Sequence, residues 1–213
     1  MSDDILKYKL VILGDSGVGK TSLFKKLLTE KFEPKVISTI GIDKRTLNIK
    51  INIPDVGEKD VEIALYDTAG EERFRAISVS YFRDSNGILL MYDITKQNSF
   101  ENLNNWLENL KTTIGDNENY LMILLGNKLD LVDEKIEKRG VEIEDAKDFC
   151  QENNIFWGGE CSVKDIDIEK LKNMFKSFIE EIYKKVGDVK REESIVIEGK
   201  KNKDNKKKKE ELR

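Results

Sequence analysis

The 213-residue chain is 38% hydrophobic and 37% charged, with a net charge of −4 and no histidine. The missing histidine excludes Ser-His-Asp and Cys-His catalysis and every His-ligated zinc site, and no apolar run approaches the ~20 residues a membrane-spanning helix needs. Residues 186–213 hold ten Lys or Arg against seven Asp or Glu, which leaves −7 on the rest and argues against nucleic acid as a partner.

The N-terminal stretch Met1-Ser2-Asp3-Asp4-Ile5 lacks the basic and apolar regions of a secretory signal. Cys150 and Cys161 form neither a metal-type cluster nor a disulfide framework, so a cytoplasmic chain is expected. Leu10-Val11-Ile12-Leu13 then predicts a short buried strand. It runs into Gly14-Asp15-Ser16-Gly17-Val18-Gly19-Lys20-Thr21, the pattern G-x-x-x-x-G-K-[ST], followed by Leu23, Phe24, Leu27 and Leu28 at helical spacing. Strand, glycine loop and helix form a phosphate cradle. Glycines let successive N–H groups converge on one anion at the positive end of a helix. Ser16, Gly17, Val18, Gly19 and Ser22 surround the anion, Lys20 reaches its β- and γ-phosphates, and the Thr21 hydroxyl suits Mg²⁺.

Thr29 to Gly41 is polar and irregular, with Phe32, Pro34 and Thr39 in it. Alternating apolar positions predict strands over Thr46–Ile53 and Val61–Tyr66, joined by a turn-rich connection from Pro54 to Asp60, hence an antiparallel hairpin. Asp67-Thr68-Ala69-Gly70-Glu71-Glu72-Arg73-Phe74 follows at a strand's C-terminal end, where parallel α/β folds place ligands. Ile88–Tyr92 and Leu121–Leu125 read as buried strands. Phe100, Leu103, Trp106, Leu107 and Leu110 mark one amphipathic helix, and Ile143, Ala146 and Phe149 another. The last helix carries Ile168, Leu171, Phe175, Phe178, Ile179 and Ile182. Strands alternating with helices imply an α/β domain over 1–185 with a mainly parallel sheet covered on both faces. Composition assigns 186–213 to a disordered lysine-rich tail.

Asp67-Thr68-Ala69-Gly70 and Asn127-Lys128-Leu129-Asp130, at these separations from the phosphate loop, resemble the Ras superfamily of small GTPases. Ser38-Thr39-Ile40-Gly41, Glu72-Arg73-Phe74-Arg75, Tyr81-Phe82-Arg83 and Tyr92-Asp93-Ile94-Thr95 look specifically like Rab proteins. The resemblance covers about residues 7 to 184. It implies a GTP phosphohydrolase that uses Mg²⁺ and acts as a molecular switch in vesicle trafficking. Asp130 offers two carboxylate oxygens to the paired N–H donors of guanine, which adenine lacks. By resemblance, Asn127 holds the purine, Lys128 and Lys164 cover its faces, Ser162 and Val163 meet its carbonyl, and Phe32 closes over it. Thr21, Thr39 and Asp67 serve the metal; Gly70, Glu71 and Lys20 serve hydrolysis. An exchange factor, an activating protein and effectors are expected to use residues 33–45 and 66–82.

The departures are specific. Glu71 stands where the family has a water-orienting glutamine, so low intrinsic activity is expected, or a nucleotide-bound scaffold that hydrolyses slowly or not at all. Lys44, Tyr66 and Tyr81 fall where the family usually carries a Phe, Trp and Tyr cluster, of which only the last is kept, and Val163 replaces an alanine. The last fifty residues hold no cysteine for prenylation. Weak or indirect membrane association is therefore expected, and a non-lipidated GTPase outside membrane traffic is the other reading.

Overall fold

The computed structural model describes residues 5–34, 39, 42–68, 82–114 and 119–187. Ser38, Ile40, Gly41, Ala69 to Tyr81 and the tail from residue 188 lie outside them. Six strands form one sheet: β1 (Leu6–Leu13), β2 (Ile42–Ile53), β3 (Gly57–Thr68), β4 (Gly87–Asp93), β5 (Leu121–Asn127) and β6 (Phe156–Cys161). Their order is β2-β3-β1-β4-β5-β6. Only β2 and β3 are antiparallel; the remaining neighbours are parallel, as expected for this α/β fold.

Alternation along the strands sorts the core into two layers. Leu10 and Ile12 of β1 pack with α1 (Lys20–Thr29) and with the last helix, Ile168–Val186. Val11 and Leu13 face the other way, toward the helices at Leu103–Ile114 and Ile143–Glu152. Numbered in chain order, α2 is Gln97–Glu101, α3 Leu103–Ile114, α4 Leu129–Asp133, α5 Ile143–Glu152 and α6 Ile168–Val186. The α6 helix shows why its sequence folds locally. The Asp167 carboxylate caps it by accepting from the backbone N–H groups of Glu169 and Lys170, and Lys184 and Lys185 occupy its negative end. Leu171, Phe175, Phe178, Ile179 and Ile182 make its buried stripe. None of the described helices is long and apolar enough to cross a membrane.

Two expectations on local structure need correction. The link from Pro54 to Asp60 is shorter than its composition suggests. The ladder runs to Ile53 opposite Gly57, so only Pro54, Asp55 and Val56 turn, and Gly57 to Asp60 are already strand. Left-handed backbone at Asp55 and Gly57 makes so tight a turn possible, and the fully buried Ile51 holds the ladder together at its end. Phe100 does not share a helix with Leu103 to Leu110. It sits on α2, and Asn102 separates the two helices while accepting the N–H groups of Asn105 and Trp106 at its carbonyl.

At Gly87 the sheet and α6 come close together. A methyl group there would lie 2.5 Å from Ile182 Cδ1 and 3.2 Å from Phe178 Cζ. Gly87→Ala is expected to destabilise the fold by ~1–3 kcal/mol through overpacking. Adding Ile182→Val, which shortens the clashing arm, is expected to cost less than the sum of the two single changes. Urea unfolding of the three variants measures this; strict additivity would show that the two residues do not compete for that space.

Candidate functional site

The phosphate loop emerges from β1 and enters α1 through two strained backbone positions. Gly14 has φ +141°, and a Cβ there would overlap the carbonyl oxygen of Met91. Gly19 has φ +105°, and a Cβ there would overlap the Asn127 amide nitrogen. Ser16 and Gly17 are exposed at the loop crest, whereas Val18 is buried. The buried Lys20 ammonium folds back over the loop, donating to the carbonyls of Gly14 and Asp15 at 2.8 Å each. Burial lowers its pKa to about 8, against the pull of the Asp67 and Asp15 charges.

Three oxygen ligands predicted for the metal are brought together. Thr21 Oγ1 and Thr39 Oγ1 are 2.7 Å apart, and Thr39 donates to Asp67 Oδ2 at 3.1 Å. Asp67 has no solvent exposure, and among the described residues its Oδ1 has no hydrogen-bond partner. Burial raises its pKa, while Thr21, Lys20 and Thr39 pull the other way. A buried carboxylate oxygen without a donor is costly, and a hard cation beside two hydroxyls is a fitting partner. The donor set therefore suits Mg²⁺. Among the described residues no group of three or more Cys, Asp or Glu could hold a metal, so hydroxyls and a bound phosphate would have to share the coordination.

The second half of the site is built by the ends of β5 and β6. Asn127 is buried and its side-chain amide is used at both ends. Nδ2 donates to the Val18 carbonyl at 2.8 Å, and Oδ1 accepts from the Val163 N–H at 2.9 Å. This residue thus ties the phosphate loop to the Ser162-Val163-Lys164 loop, a positioning role that its motif does not reveal. Lys128 has left-handed backbone, and its ammonium lies 2.7 Å from Asp93 Oδ2. Burial opposes charge on Asp93, yet hydrogen bonds from Lys128 and Thr95 hold its carboxyl below the ordinary range. Asp130 lies in the first turn of α4, and Lys164 Nζ stands 3.6 Å from its Oδ2. Phe32 packs half-buried against the α1 and α6 side of the core. Gly70 and Glu71 lie outside the described residues.

Several supporting residues carry no motif. Asp15 is held at both oxygens, by Asn102 Nδ2 at 2.7 Å and Trp106 Nε1 at 3.0 Å, which anchors the phosphate loop to α2–α3. Lys26, buried among the apolar positions of α1, donates to the carbonyls of Val163 and Lys164 at 2.9 and 3.0 Å. Its only sequence signal is a lysine inside an otherwise apolar stripe. The ammonium groups of Lys9 and Lys44 lie 5.2 and 5.5 Å from the Tyr66 ring centroid.

A phosphate loop, a threonine–aspartate oxygen cluster and an Asn-Lys-Leu-Asp loop at one end of a mostly parallel sheet define a nucleotide-binding α/β domain. The pattern of the Ras family matches residues 9–184, and the chain belongs to that family of small GTPases. Its relatives include the Ras-related protein Rab11B of Nicotiana tabacum, 37% identical over 84% of this chain and 76% of that one. The GTP-binding protein ypt3 of Schizosaccharomyces pombe is 35% identical over 85% and 78% of the two chains. The Ras-related protein Rab-13 of Rattus norvegicus is 36% identical over 84% and 82%.

The buried lysine makes a pH prediction. A group whose folded pKa lies below its unfolded value loses its proton first in the folded state. Between about 8 and the ordinary 10.5 the unfolded chain then binds more protons, so stability rises with pH across that window. Lys20 is expected to contribute up to ~3 kcal/mol of this rise. Urea unfolding of ligand-free chain at several pH values, compared with Lys20→Met, isolates the contribution; equal slopes for both would refute it.

Proposed function

We propose that the chain is a Rab-like switch that binds guanine nucleotide, hydrolyses GTP to GDP and phosphate, and recruits effectors in vesicle trafficking. The observation that carries the reading is the meeting of Thr39 with Thr21 and Asp67. The first comes from the segment expected to respond to the γ-phosphate, and the other two come from the rigid loop and strand. A segment held at that point only while the phosphate is present converts nucleotide state into surface shape.

In this reading the loop N–H groups of Gly17 to Thr21 bind the phosphates. Lys20 leaves its two carbonyl acceptors for the β- and γ-oxygens, and phosphate charge restores its full protonation. Thr21, Thr39 and Asp67 would hold Mg²⁺, which supplies charge stabilisation to the transferring phosphoryl group when bound. The base lies against the Asn127–Asp130 loop. The Asn127 amide nitrogen carries two protons and gives one to Val18, so the other is available to the purine. Asp130 selects guanine, and Lys128 and Lys164 flank it. Gly70 leaves room for a backbone N–H at the phosphate, and Glu71 addresses the attacking water.

Glu71 supports a second reading within the same class, a switch that hydrolyses slowly. A glutamine both accepts from water and donates to the phosphoryl group, whereas an ionised glutamate only accepts. Lys44, exposed beside the Tyr66 ring, puts a cation where the family has an aromatic residue, which suits effectors with acidic contact residues. The lysine-rich residues beyond α6 are read as an extension of the nucleotide-binding domain.

Two measurements test these assignments. Asp130→Asn replaces a double acceptor by a group with one acceptor and one donor, and is expected to exchange guanine preference for xanthine in competition binding. Unchanged preference would remove Asp130 from the base site. Single-turnover GTP hydrolysis is expected to be slow in the natural chain. With an activating domain, Glu71→Gln is expected to be stimulated ~10²-fold or more beyond it, the usual range for one positioned group. Equal stimulation of the two would show that Glu71 fills the glutamine's role.

A further inference from the structure

On the flank away from the nucleotide site, β2 is an edge strand and α6 covers only part of that edge. The Asn52 N–H points outward and donates to Glu180 Oε1 at 3.1 Å, so the helix completes the ladder there with a side-chain acceptor. Residues two and four positions earlier on the strand turn their backbone the same way. The outward N–H and C=O groups are therefore those of Lys50 and Asn48. One and two helical turns before Glu180, the same stripe of α6 carries Lys176 and Lys172. An ammonium cannot accept from an N–H, so the helix does not complete the edge at these positions.

The result is a groove of about 270 Å³ between α1, β2 and α6. Its floor is apolar, made by Leu27, Leu47, Ile49 and Phe175, and its rim carries Lys50, Lys172 and Lys176. Lys172 pairs with Glu30 at 2.6 Å and Lys50 with Glu58 at 3.4 Å. Lys176 has no ion-pair partner among the described residues. A ligand that fits needs strand-forming apolar side chains, free backbone groups and negative charge at its ends.

One stretch of the chain itself has that chemistry. Glu192-Glu193-Ser194-Ile195-Val196-Ile197-Glu198 is a run of β-branched residues between glutamates, inside a tail otherwise made mostly of charged and polar residues. It is also within reach. The α6 helix ends at Val186, and Gly187, whose carbonyl accepts from the Tyr8 hydroxyl at 2.7 Å, lets the chain turn. Returning from there to the level of Phe175 covers ~17 Å along the helix, while the eight residues 187–194 can span up to ~26 Å.

We propose that Ile195-Val196-Ile197 docks in this groove as an antiparallel strand on the free edge of β2, with its glutamates against the lysine rim. Ile195 and Ile197 share one face of such a strand and cover Leu47, Ile49 and Phe175; Val196 faces away. The backbone of the added strand supplies the acceptors that α6 withholds from Asn48 and Lys50. The proposal does not depend on the nucleotide chemistry.

The test is amide hydrogen exchange in the full chain, read at Asn48 and Lys50. Both amides are expected to exchange about ten-fold faster in Ile195→Asp and Ile197→Asp than in the natural chain, and to stay protected in Val196→Asp. Equal exchange at these amides in all four proteins overturns the proposal. So does protection that disappears on dilution, which would make the occupant a second copy of the chain.

Discussion

The Asn127 carboxamide is the interaction on which the site's geometry depends. Its two ends bind Val18 in the phosphate loop and Val163 in the loop after β6, so the two regions expected to take opposite ends of a nucleotide share one rigid connection. The Gly19 backbone passes so close to this amide that no side chain fits between them. Lys26 reinforces the connection from beneath by binding the carbonyls of Val163 and Lys164. Asp15, held by Asn102 and Trp106, braces the loop from the opposite layer of the core. The loop is thus fixed from three directions before any ligand arrives, which removes ordering costs from binding.

Electrostatics complement this frame. Lys20 and Asp67 are both buried and both pushed by burial toward their neutral forms. Each feels the other's opposite charge, but neither is fully paired: Lys20 rests on two carbonyls, and among the described residues one Asp67 oxygen has no donor. Such an arrangement costs stability in the free protein and is relieved by an anion beside the lysine and a cation beside the aspartate. A phosphate with its metal provides both at once, which is why a centre that is unfavourable alone suits that pair.

Much of this is legible in the sequence because motif residues are constrained by ligand chemistry at fixed spacing. The phosphate loop, Asp67 and the Asn127–Asp130 loop stand out for that reason, as do the strands with clear alternation. The supporting contacts are not legible. Asp15 with Trp106, Lys26 with Val163 and Asn127 with Val18 join distant parts of the chain, and no local pattern reveals these pairings. The hairpin turn reads as too long because Gly57, Glu58, Lys59 and Asp60 have turn-like composition, whereas their pairing is decided across the ladder by Ile51 and Ile53. The break between α2 and α3 is hidden because Phe100 keeps helical spacing with Leu103.

The span of those ties bears on how the molecule is assembled. Val18 and Asn127 are 109 residues apart, Asp15 and Trp106 are 91, and Lys26 and Val163 are 137. The ties to Asn127 and Val163 close only when β5 and β6 have taken their places beside the first strands. Contacts of such long range form late, because the chain entropy they cost is offset only by a nearly finished sheet. A partly folded chain, or one emerging from the ribosome without β5 and β6, therefore has a glycine loop but no site. Competence to hold a ligand arrives with the last strand.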